Sequence, residues 1–488
     1  MNESIAVSRF SKQNLLFLLL FLVAILEFWK LGVGPVNSFD EARFGANACE
    51  MRQNGDFLNL YYQGKPDAWL ARPPLKAWLT MSGYFLFGYN AWGLRMSSGL
   101  FVLLFFYFAF QWMALYLTPG NAFLGGLMLL SVKGVVGFHV GRNGDMDAEF
   151  NALLMGFLYF FSLYLHFHRK NAILFAGCFL AFAFWFKTMA CFFYLPGIFL
   201  YLLASRRLLP FLKDNYAWYA IGIFLTGILS WTLIVLFCGT RYHNTPYAGD
   251  NAIETMVIYD IWMRFTSSHF DGHPVHTSYG FFFTNLDVRF NVWNYFSYLG
   301  LAIFFFQLKK GSVSSAYQHV LPFCAFILFP AFVLFTFGMH KLDWYSTPIL
   351  PLLTMFALYA LENLVLRWSW FGCLFAALLC FTLVRHALYT DRQTRLENET
   401  ALIDQHQGIL QKADTLWVAE SISQSIYLRL LWMHKPIKIA PNLATFTAKQ
   451  GRIGISSSDL KGKRKVRKIA EYVDERLDIR DAIIRSTP

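Results

Sequence analysis

Residues 37–75 read NSFDEARFGANACEMRQNGDFLNLYYQGKPDAWLARPPL, a polar stretch between a first apolar run and a series of further apolar runs. The stretch carries the adjacent acids Asp40 and Glu41, with Arg43 close behind them and Arg72 just before a Pro-Pro pair. Acids and bases this dense beside a membrane anchor indicate a site for a charged substrate at the bilayer surface. We therefore expect the rest of the chain to be organised around this first loop.

The composition of the chain is that of a membrane protein. Of its 488 residues, 56% are hydrophobic and 19% are aromatic. Apolar runs near the ~20 residues that span a bilayer recur along it. The seven cysteines are scattered and form neither a disulfide framework nor a CxxC metal pattern. The net charge of +12 could indicate an anionic partner or positive residues on the inner side of the membrane, and we favour the second explanation. We expect no nucleic-acid partner.

The apolar runs and their flanking charges define the expected topology. Arg9 and Lys12 precede a run at 15–29 that has no cleavage site after it, which indicates an uncleaved anchor with a cytoplasmic N-terminus. Further spans are expected at 96–117, 122–140, 149–167, 171–186, 190–204, 216–240, 291–308, 319–338, 347–363 and 369–388. The segment 77–89 has mixed polarity, so we interpret it as an interfacial helix on the outer surface.

Three basic pairs fix which loops face outward. They are Arg169-Lys170, Arg206-Arg207 and Lys309-Lys310, and we place them in the cytoplasm. The outer loops then fall at 35–95, 141–147, 187–189, 241–290 and 339–346. The polar segment after the last span is also outside.

The predicted fold is an all-α polytopic membrane protein with about 11–13 transmembrane helices and interfacial helices in the first outer loop. The membrane domain is expected over 1–388, and a small soluble α/β domain over 389–488. In the second domain, Val418 and 437–440 are predicted strands around a helix that contains residues 422–433. A basic run at 461–468 would contact anionic lipid or polysaccharide, or form a solvated face.

With this topology, the unusual polar residues of several loops gather on the outer side. Charged residues at the edge of the hydrocarbon are costly and usually mark a substrate path or site. Beyond the first loop, they are Arg142, Asp145, Asp147, Lys187, Arg264, His269, His273, His276, His340, Lys341, Asp343 and Tyr345.

These residue types indicate phosphate chemistry. Several arginines and lysines around one site suit a phosphate group. A carboxylate facing them suits a general base that removes a proton from an incoming hydroxyl. The combination indicates a lipid-phosphate donor with a hydroxyl or amine acceptor. The HxxxHxxH spacing at His269, His273 and His276 can also bind a divalent metal, with His273 the candidate ligand, but ordinary loop histidines are the simpler explanation, and no cofactor is required.

At these residues the chain resembles the GT-C glycosyltransferases of the protein O-mannosyltransferase and aminoarabinose transferase (ArnT-like) group. The resemblance covers roughly residues 10–390 of the sequence, where the motifs fall in family order. They are Asp-Glu-Ala-Arg at 40–43, Pro-Pro-Leu at 73–75, Arg-x-x-Asp-x-Asp at 142–147, Gly-His-Pro at 272–274 with Tyr279, and Lys-Leu-x-x-Tyr-x-x-Pro at 341–348.

The resemblance implies an inverting transferase that uses a polyprenyl (undecaprenyl) phosphate sugar, in a bacterial inner membrane with its active site facing the periplasm. Asp40 would be the base, with Glu41 and Asp147 as further catalytic acids. Polyprenyl phosphate would be expelled, and the acceptor would be a hydroxyl- or phosphate-bearing lipid, glycan or protein. The phosphate-binding candidates are Arg43, Arg72, Arg142, Lys187, Arg264, Lys341 and Tyr345, and the additional candidates are Asp145, His273 and His340.

Two positions depart from the group's pattern. The residue before Pro-Pro is usually Lys and is Arg72 here, which keeps the charge but not the geometry. A Glu that helps hold a metal in aminoarabinose transferases is replaced by Ala71, which puts both the metal and the subgroup in doubt.

Two other functions are alternatives to the transferase. A transporter or flippase of a lipid-linked or anionic solute would show internal repeats, broken helices and polar groups near the bilayer midplane. The sequence shows no clear repeat, and its charges cluster at the ends of loops. A non-catalytic membrane partner would leave the acids and bases unexplained.

Overall fold

The structure is a computed structural model of the chain. It describes residues 11–137, 139–242, 249–263, 266, 269–270, 273–274, 278–338, 341–368, 370–394, 400–440, 453–456, 466–474 and 479–486. Arg264 and His340, two of the predicted site residues, lie outside these ranges, as does most of the basic run at 461–468. His273 lies in a described strand, but its side chain is outside the description.

Most of the described chain is helical, with a small sheet near its C-terminal end. The helices are α1 (Lys12–Phe28), α2 (Asp40–Asn54), α3 (Leu75–Phe87), α4 (Ala91–Met113), α5 (Pro119–Leu130), α6 (Asp147–Phe167), α7 (Ala172–Lys187), α8 (Leu195–Ala204), α9 (Leu208–Leu212), α10 (Asn215–Cys238), α11 (Ala252–Thr255), α12 (Phe281–Arg289), α13 (Trp293–Lys310), α14 (Val320–Phe337), α15 (Leu350–Arg367), α16 (Phe371–Gln393), α17 (Thr400–Gln405), α18 (Gln407–Gln411) and α19 (Gln424–Leu431). The strands are β1 (Tyr61–Tyr62), β2 (Lys65–Pro66), β3 (His269–Phe270), β4 (His273–Pro274), β5 (Leu416–Ala419), β6 (Ile437–Ala440), β7 (Ile453–Ser456), β8 (Val466–Asp474) and β9 (Ile479–Ser486).

The first loop folds into the two short helices α2 and α3. Asp40 and Glu41 occupy the first turn of α2, where carboxylates interact favourably with the helix dipole, and Gly55 ends it in the left-handed conformation. Helix α3 starts directly after the Pro-Pro pair. Its 13 residues rise about 20 Å, which is less than the roughly 30 Å of bilayer hydrocarbon. These lengths agree with the predicted interfacial helices.

Seven helical segments of the described chain are long and apolar enough to cross a membrane. They are Ala91–Met113, Asp147–Phe167, Ala172–Ala204, Asn215–Cys238, Val320–Phe337, Asp343–Val365 and Phe371–Gln393. The predicted span at 15–29 corresponds to α1, which has 17 residues, and the predicted span at 291–308 corresponds to α13. Neither helix is among the seven segments. The all-α polytopic class is confirmed.

The span predicted at 122–140 is wrong in its second half. Helix α5 ends at Leu130, and the described residues 131–137 and 139–146 are irregular; we call them the glycine segment. A Cβ at Gly134 would lie 2.9 Å from the carbonyl oxygen of Arg289, whose oxygen accepts a hydrogen bond from the Gly134 amide at 3.0 Å. Glycine therefore allows this apolar stretch to leave the helix and pack closely against α12.

The short outer loop predicted at 187–189 is instead a longer 3₁₀ segment, Thr188–Tyr194, between α7 and α8. Thr188 has a φ of 36°, so the α-helical path is broken immediately after Lys187. A second 3₁₀ segment, Asp343–Ile349, precedes α15. Both breaks occur at predicted site residues.

Small residues allow the long helices to approach one another closely. A Cβ at Gly300 of α13 would lie 1.9 Å from the Phe356 carbonyl oxygen of α15, and one at Gly177 of α7 would lie 2.6 Å from the Ala220 carbonyl oxygen of α10. Such contacts are typical of helix packing in membranes, where van der Waals packing replaces the hydrophobic effect.

A buried ion pair joins α3, α4 and α6 behind the first loop. The Lys76 ammonium lies 2.7 Å from Glu149 and donates to Ser97 and Ser98 at 3.2 and 2.9 Å. Ser98 also donates to the backbone carbonyl of Asp145 at 3.0 Å. The cluster therefore fixes the glycine segment relative to the helices on either side of it.

Lys76→Met is expected to lower the free energy of unfolding by about 3 kcal/mol, because it leaves Glu149 buried without a countercharge. Thermal unfolding in detergent, followed by circular dichroism, measures the change. The double variant Lys76→Met with Glu149→Leu removes both charges and should recover most of the loss. A single variant as stable as wild type would contradict the prediction.

The C-terminal segment contains the predicted α/β fold. Its five-stranded sheet has the order β6-β5-β7-β9-β8, with β5 parallel to β6 and β7 and the other pairs antiparallel. The predicted strands are β5 and β6, and the helix between them is α19. We propose that this domain begins after α16, which ends at Gln393, a few residues later than the sequence indicates.

Candidate active site

Three of the predicted carboxylates meet where two helices begin. Asp40 is the first residue of α2 and Asp147 is the first residue of α6, while Asp145 lies in the glycine segment two residues before α6 begins. Helix N-termini carry partial positive charge, so both starts favour ionised carboxylates. Asp145 and Asp147 are nearly inaccessible, whereas 21% of the Asp40 side chain remains exposed.

His139 connects two of these carboxylates, and the sequence analysis did not single it out. Its Nδ1 forms a hydrogen bond with Asp145 and lies 3.8 Å from an Asp40 oxygen. The imidazole also stacks on Trp344, with ring centroids 3.6 Å apart. The signal was hidden because the apolar pattern predicted a transmembrane helix at this position. The available clue was that only one residue separates this histidine from the GRNGDMD motif.

The electrostatics of the cluster shift the pKa values of Asp40 and Asp145 in opposite directions. Burial, together with the charge of Asp145, raises the pKa of Asp40 to about 6. Burial would also raise the pKa of Asp145, but the hydrogen bond and charge of His139 and the charge of Lys187 hold it below its ordinary value. Burial acts to lower the pKa of His139, yet Asp145 and Asp40 raise it overall. The cluster therefore favours the protonated form of His139 and makes Asp40 a stronger base than an ordinary aspartate.

Lys187 and Arg72 supply positive charge beside the acids. The Lys187 ammonium lies 2.5 Å from an Asp147 oxygen and 5.8 Å from the ring centroid of Tyr345. Both Lys187 and Arg72 act to lower the pKa of Asp40, so the electric fields of the two cations reach that carboxylate. Arg72 also donates to the Met146 sulfur at 3.2 Å, which holds it against the start of α6.

These groups open onto a cavity of about 420 Å³. Arg72, Asp147, Lys187 and Tyr345 line it, and so does Trp344, the residue that stacks on His139. The remaining wall is mostly aromatic and aliphatic, formed by Phe150, Met189, Phe192, Phe193, Ile261, Phe282, Leu334 and Phe335 among others. A few convergent polar groups in an apolar wall suit a ligand with a charged head and a hydrocarbon body.

Glu41 and two of the predicted phosphate ligands are placed elsewhere, in contacts that hold the scaffold. Glu41 accepts from Arg95 at 2.6 Å and from the backbone amides of Gly144 and Asn37 at 2.9 and 2.8 Å. Both of its oxygens are occupied, so it ties α2, α4 and the glycine segment together. We therefore assign Glu41 a positioning role. Arg95 was missed because the sequence shows only a lone arginine at the start of an apolar helix.

Arg43 and Arg142 likewise bind protein groups outside the cavity lining. Arg43 makes two hydrogen bonds to Asp67, at 2.8 and 2.7 Å. Arg142 donates to the carbonyl oxygens of Leu26 and Glu27 in α1. Lys341 is almost fully buried and lies 5.8 Å from the ring centroid of Tyr279, also outside the cavity lining.

The carboxylate cluster has the donors that a divalent metal would need. Asp40, His139 and Asp145 each offer one atom, all within 4.8 Å of one another, and two carboxylates with an imidazole suit Zn²⁺ or Mn²⁺. Arg72 and Lys187 also place positive charge near these carboxylates.

The fold combines membrane-length helices with acids at two helix starts, beside an apolar cavity lined by cations, as expected for the GT-C class that the sequence motifs resemble. Comparison with known proteins supports this class. Residues 71–233, about a third of the chain, match the family model described as dolichyl-phosphate-mannose-protein mannosyltransferase. A protein of Aquifex aeolicus, described only as uncharacterized, is 36% identical over 83 residues, which are 17% of this chain and 16% of that protein.

The structural matches extend over nearly the whole chain. ArnT from Cupriavidus metallidurans bound to undecaprenyl phosphate has a TM-score of 0.70 at 17% identity, covering 96% of this chain and 97% of that one. Its apo state gives 0.67 at 15% identity with the same coverage. The Archaeoglobus fulgidus oligosaccharyltransferase, in complex with Zn and sulfate, gives 0.55 at 13% identity, covering 88% of this chain and 62% of that one. The ArnT-like GT-C fold and the resemblance read from the motifs are confirmed.

Proposed function

We propose that the protein is an integral-membrane glycosyltransferase that moves a sugar from polyprenyl phosphate to a hydroxyl- or phosphate-bearing acceptor. The observation that carries this proposal is the cavity, whose apolar wall suits a prenyl chain and whose Arg72, Lys187 and Tyr345 suit a phosphate. The similar ArnT structure was solved with undecaprenyl phosphate, which supports the same donor class here.

The geometry supports a direct displacement with Asp40 as the base. The Asp40 carboxylate takes the proton of the acceptor hydroxyl as its oxygen attacks the anomeric carbon. The bond between that carbon and the phosphate oxygen breaks on the opposite side, which inverts the configuration. Polyprenyl phosphate leaves with the electron pair, and Arg72 and Lys187 stabilise its charge. His139 lies 3.8 Å from an Asp40 oxygen, and Asp145 raises the pKa of His139, which favours the charged imidazole that would stabilise ionised Asp40.

The ends of the helices support a proposed orientation in the membrane. Helix α6 begins at the site and ends at Phe167, just before Arg169-Lys170, while α7 begins just after that pair and ends at Lys187. The basic pair therefore lies at the helix ends opposite the site. By the positive-inside rule we place the site on the outer face of a bacterial inner membrane, facing the periplasm.

The test is sugar release from a panel of undecaprenyl-phosphate sugars by the purified protein in nanodiscs, with candidate acceptors present. Acceptor-dependent appearance of free undecaprenyl phosphate is the expected result, detected by mass spectrometry. The transporter alternative predicts donor binding with no release under any condition. That outcome, in protein whose folding is verified, would overturn the transferase proposal.

Transfer is expected to fall as the pH is lowered through about 6, since burial raises the pKa of Asp40 to that value and the base must be ionised. Above that pH, Asp40 is charged and the rate should be level. The dependence of kcat/KM on pH measures this, with donor binding at each pH as the control. A profile that stays flat well below pH 6 would contradict Asp40 as the base.

Removing divalent cations with EDTA is expected to change the rate by less than about twofold, because Arg72 and Lys187 line the cavity and can stabilise the leaving phosphate without a metal. The measurement is turnover before and after chelation, with add-back of Zn²⁺ and Mn²⁺. Loss of activity that one of these ions restores would instead assign Asp40, His139 and Asp145 as its ligands.

A further inference from the structure

The helix that carries Asp40 is held from outside the membrane domain. Helix α19 of the C-terminal domain packs along α2, and their contact is close enough that a Cβ at Gly45 would lie 2.5 Å from a Leu428 methyl carbon. Two polar contacts fix the register of this packing. One lies two residues before Asp40, and the other lies ten residues after it.

The first contact joins Ser38 to the start of α19. The Ser38 hydroxyl lies 3.1 Å from the Ser425 hydroxyl and accepts from the Ser425 amide at 3.4 Å. Between Ser38 and the base lies Phe39, with φ 69° and ψ −126°, a conformation that residues other than glycine rarely adopt. Such a conformation persists only where the surrounding contacts enforce it.

The second contact is a buried carboxylate shared by three elements. Glu50 of α2 accepts from the Tyr427 hydroxyl of α19 at 2.7 Å and from the backbone amides of Gln63 and Gly64 at 2.7 and 2.9 Å. The Tyr427 ring also contacts Tyr62 edge-on, with centroids 5.1 Å apart. The tyrosine therefore fixes α2 to the β1–β2 hairpin as well as to its own domain.

We infer that the C-terminal domain helps to position the catalytic base, with Tyr427 and Ser425 as positioning residues for Asp40. The inference rests on the proposed function, since it gives the domain a role in placing the base. Neither residue touches the donor cavity, so both act through α2. The geometry of the base is then set from both sides: by Glu41 and Arg95 in the membrane domain, and by α19 in the C-terminal domain.

The test removes one atom of this contact, the hydroxyl oxygen of Tyr427. Tyr427→Phe keeps the ring and removes the hydroxyl that reaches Glu50. We expect kcat to fall about tenfold, within the roughly hundredfold that a 1 Å misplacement can cause, with the donor Kd and the melting temperature near wild type. The matched control is Arg429→Gln on the same helix, which breaks a solvent-accessible contact with Asp404 and leaves α2 untouched. A kcat equal to that of the control would overturn the inference.

A second variant distinguishes a positioning defect from a general loss of structure. In the Tyr427→Phe background, Ser38→Cys and Ser425→Cys place two thiols where the hydroxyls lie 3.1 Å apart. Oxidation should lock α19 to α2 and raise kcat several-fold over the reduced form, because the lost contact is replaced by a covalent one. A cross-linked protein that remains as slow as its reduced form would show that the defect is not one of positioning.

Hydrogen exchange separates this inference from the proposed function. Amides within 36–46 should exchange about tenfold faster in Tyr427→Phe than in Arg429→Gln, whether or not a donor has been found. If wild type transfers no sugar from any donor, the proposed function fails, and the exchange rates still decide whether the C-terminal domain holds the Asp40 helix. Equal exchange in the two variants would overturn the inference.

Discussion

Asp40→Asn is expected to lower sugar transfer about 10³-fold, within the range that a general base contributes. The asparagine amide keeps the shape of the side chain but cannot take the proton of the attacking hydroxyl at neutral pH. Donor binding should stay near wild type, because the cavity is lined by Arg72, Lys187 and Tyr345 and not by Asp40. The measurement is release of polyprenyl phosphate together with donor affinity in nanodiscs.

The matched control for this variant is Asp414→Asn, which makes the same chemical change at an exposed position before β5. It should leave both the rate and the affinity unchanged. Transfer by Asp40→Asn at the rate of this control would remove Asp40 from the reaction. The base would then have to be sought at Asp147 or Asp145.

Lys187→Gln should reduce transfer by about 10²–10³-fold, the loss that follows removal of one group stabilising charge in the transition state. Lys187 ends α7 at the point where the helix breaks, and its ammonium lies beside Asp147 in the cavity wall. Without it, the departing phosphate would face Asp147 with less compensation. Donor binding should weaken less than turnover does, since the charge on the leaving oxygen grows during the reaction.

Lys30→Gln provides the control, because Lys30 pairs with Asp391 in a partly exposed contact outside the cavity lining. Such pairs contribute little, so this variant should transfer sugar normally. The double variant Lys187→Gln with Asp147→Asn shows whether Asp147 acts beyond holding the lysine. A double variant no slower than Lys187→Gln alone would mean that orienting Lys187 is its main role. Normal transfer by Lys187→Gln would contradict the proposed phosphate site.

The sequence was sufficient for features that local patterns encode. Hydropathy runs predicted a polytopic helical protein with interfacial helices in the first outer loop, and the residues near Val418 and 437–440 predicted β5 and β6. The motif order predicted the ArnT-like resemblance. Each of these signals lies within a few residues of the feature that it predicts, so no knowledge of distant contacts was needed.

The partners of the charged residues could not be read in the same way. Arg43, Arg72 and Arg142 look alike in the sequence, yet only Arg72 lines the cavity, because Asp67 and the end of α1 bind the other two. Which charge meets which depends on how distant segments pack. The missed His139 has a second cause: the glycine segment is apolar enough to resemble a span, and only its contact with α12 shows that the helix stops at Leu130.

The apolar wall of the cavity also affects how the enzyme must be assayed. A prenyl chain partitions into the bilayer, since each buried methylene contributes about 0.8 kcal/mol. A donor of the proposed class would therefore reach Arg72 and Lys187 by diffusion within the bilayer, and its effective concentration would be a mole fraction of the lipid. A KM expressed in molar units will rise as detergent or lipid is added, even though affinity is unchanged. Rates from different preparations become comparable when the donor is counted per lipid molecule.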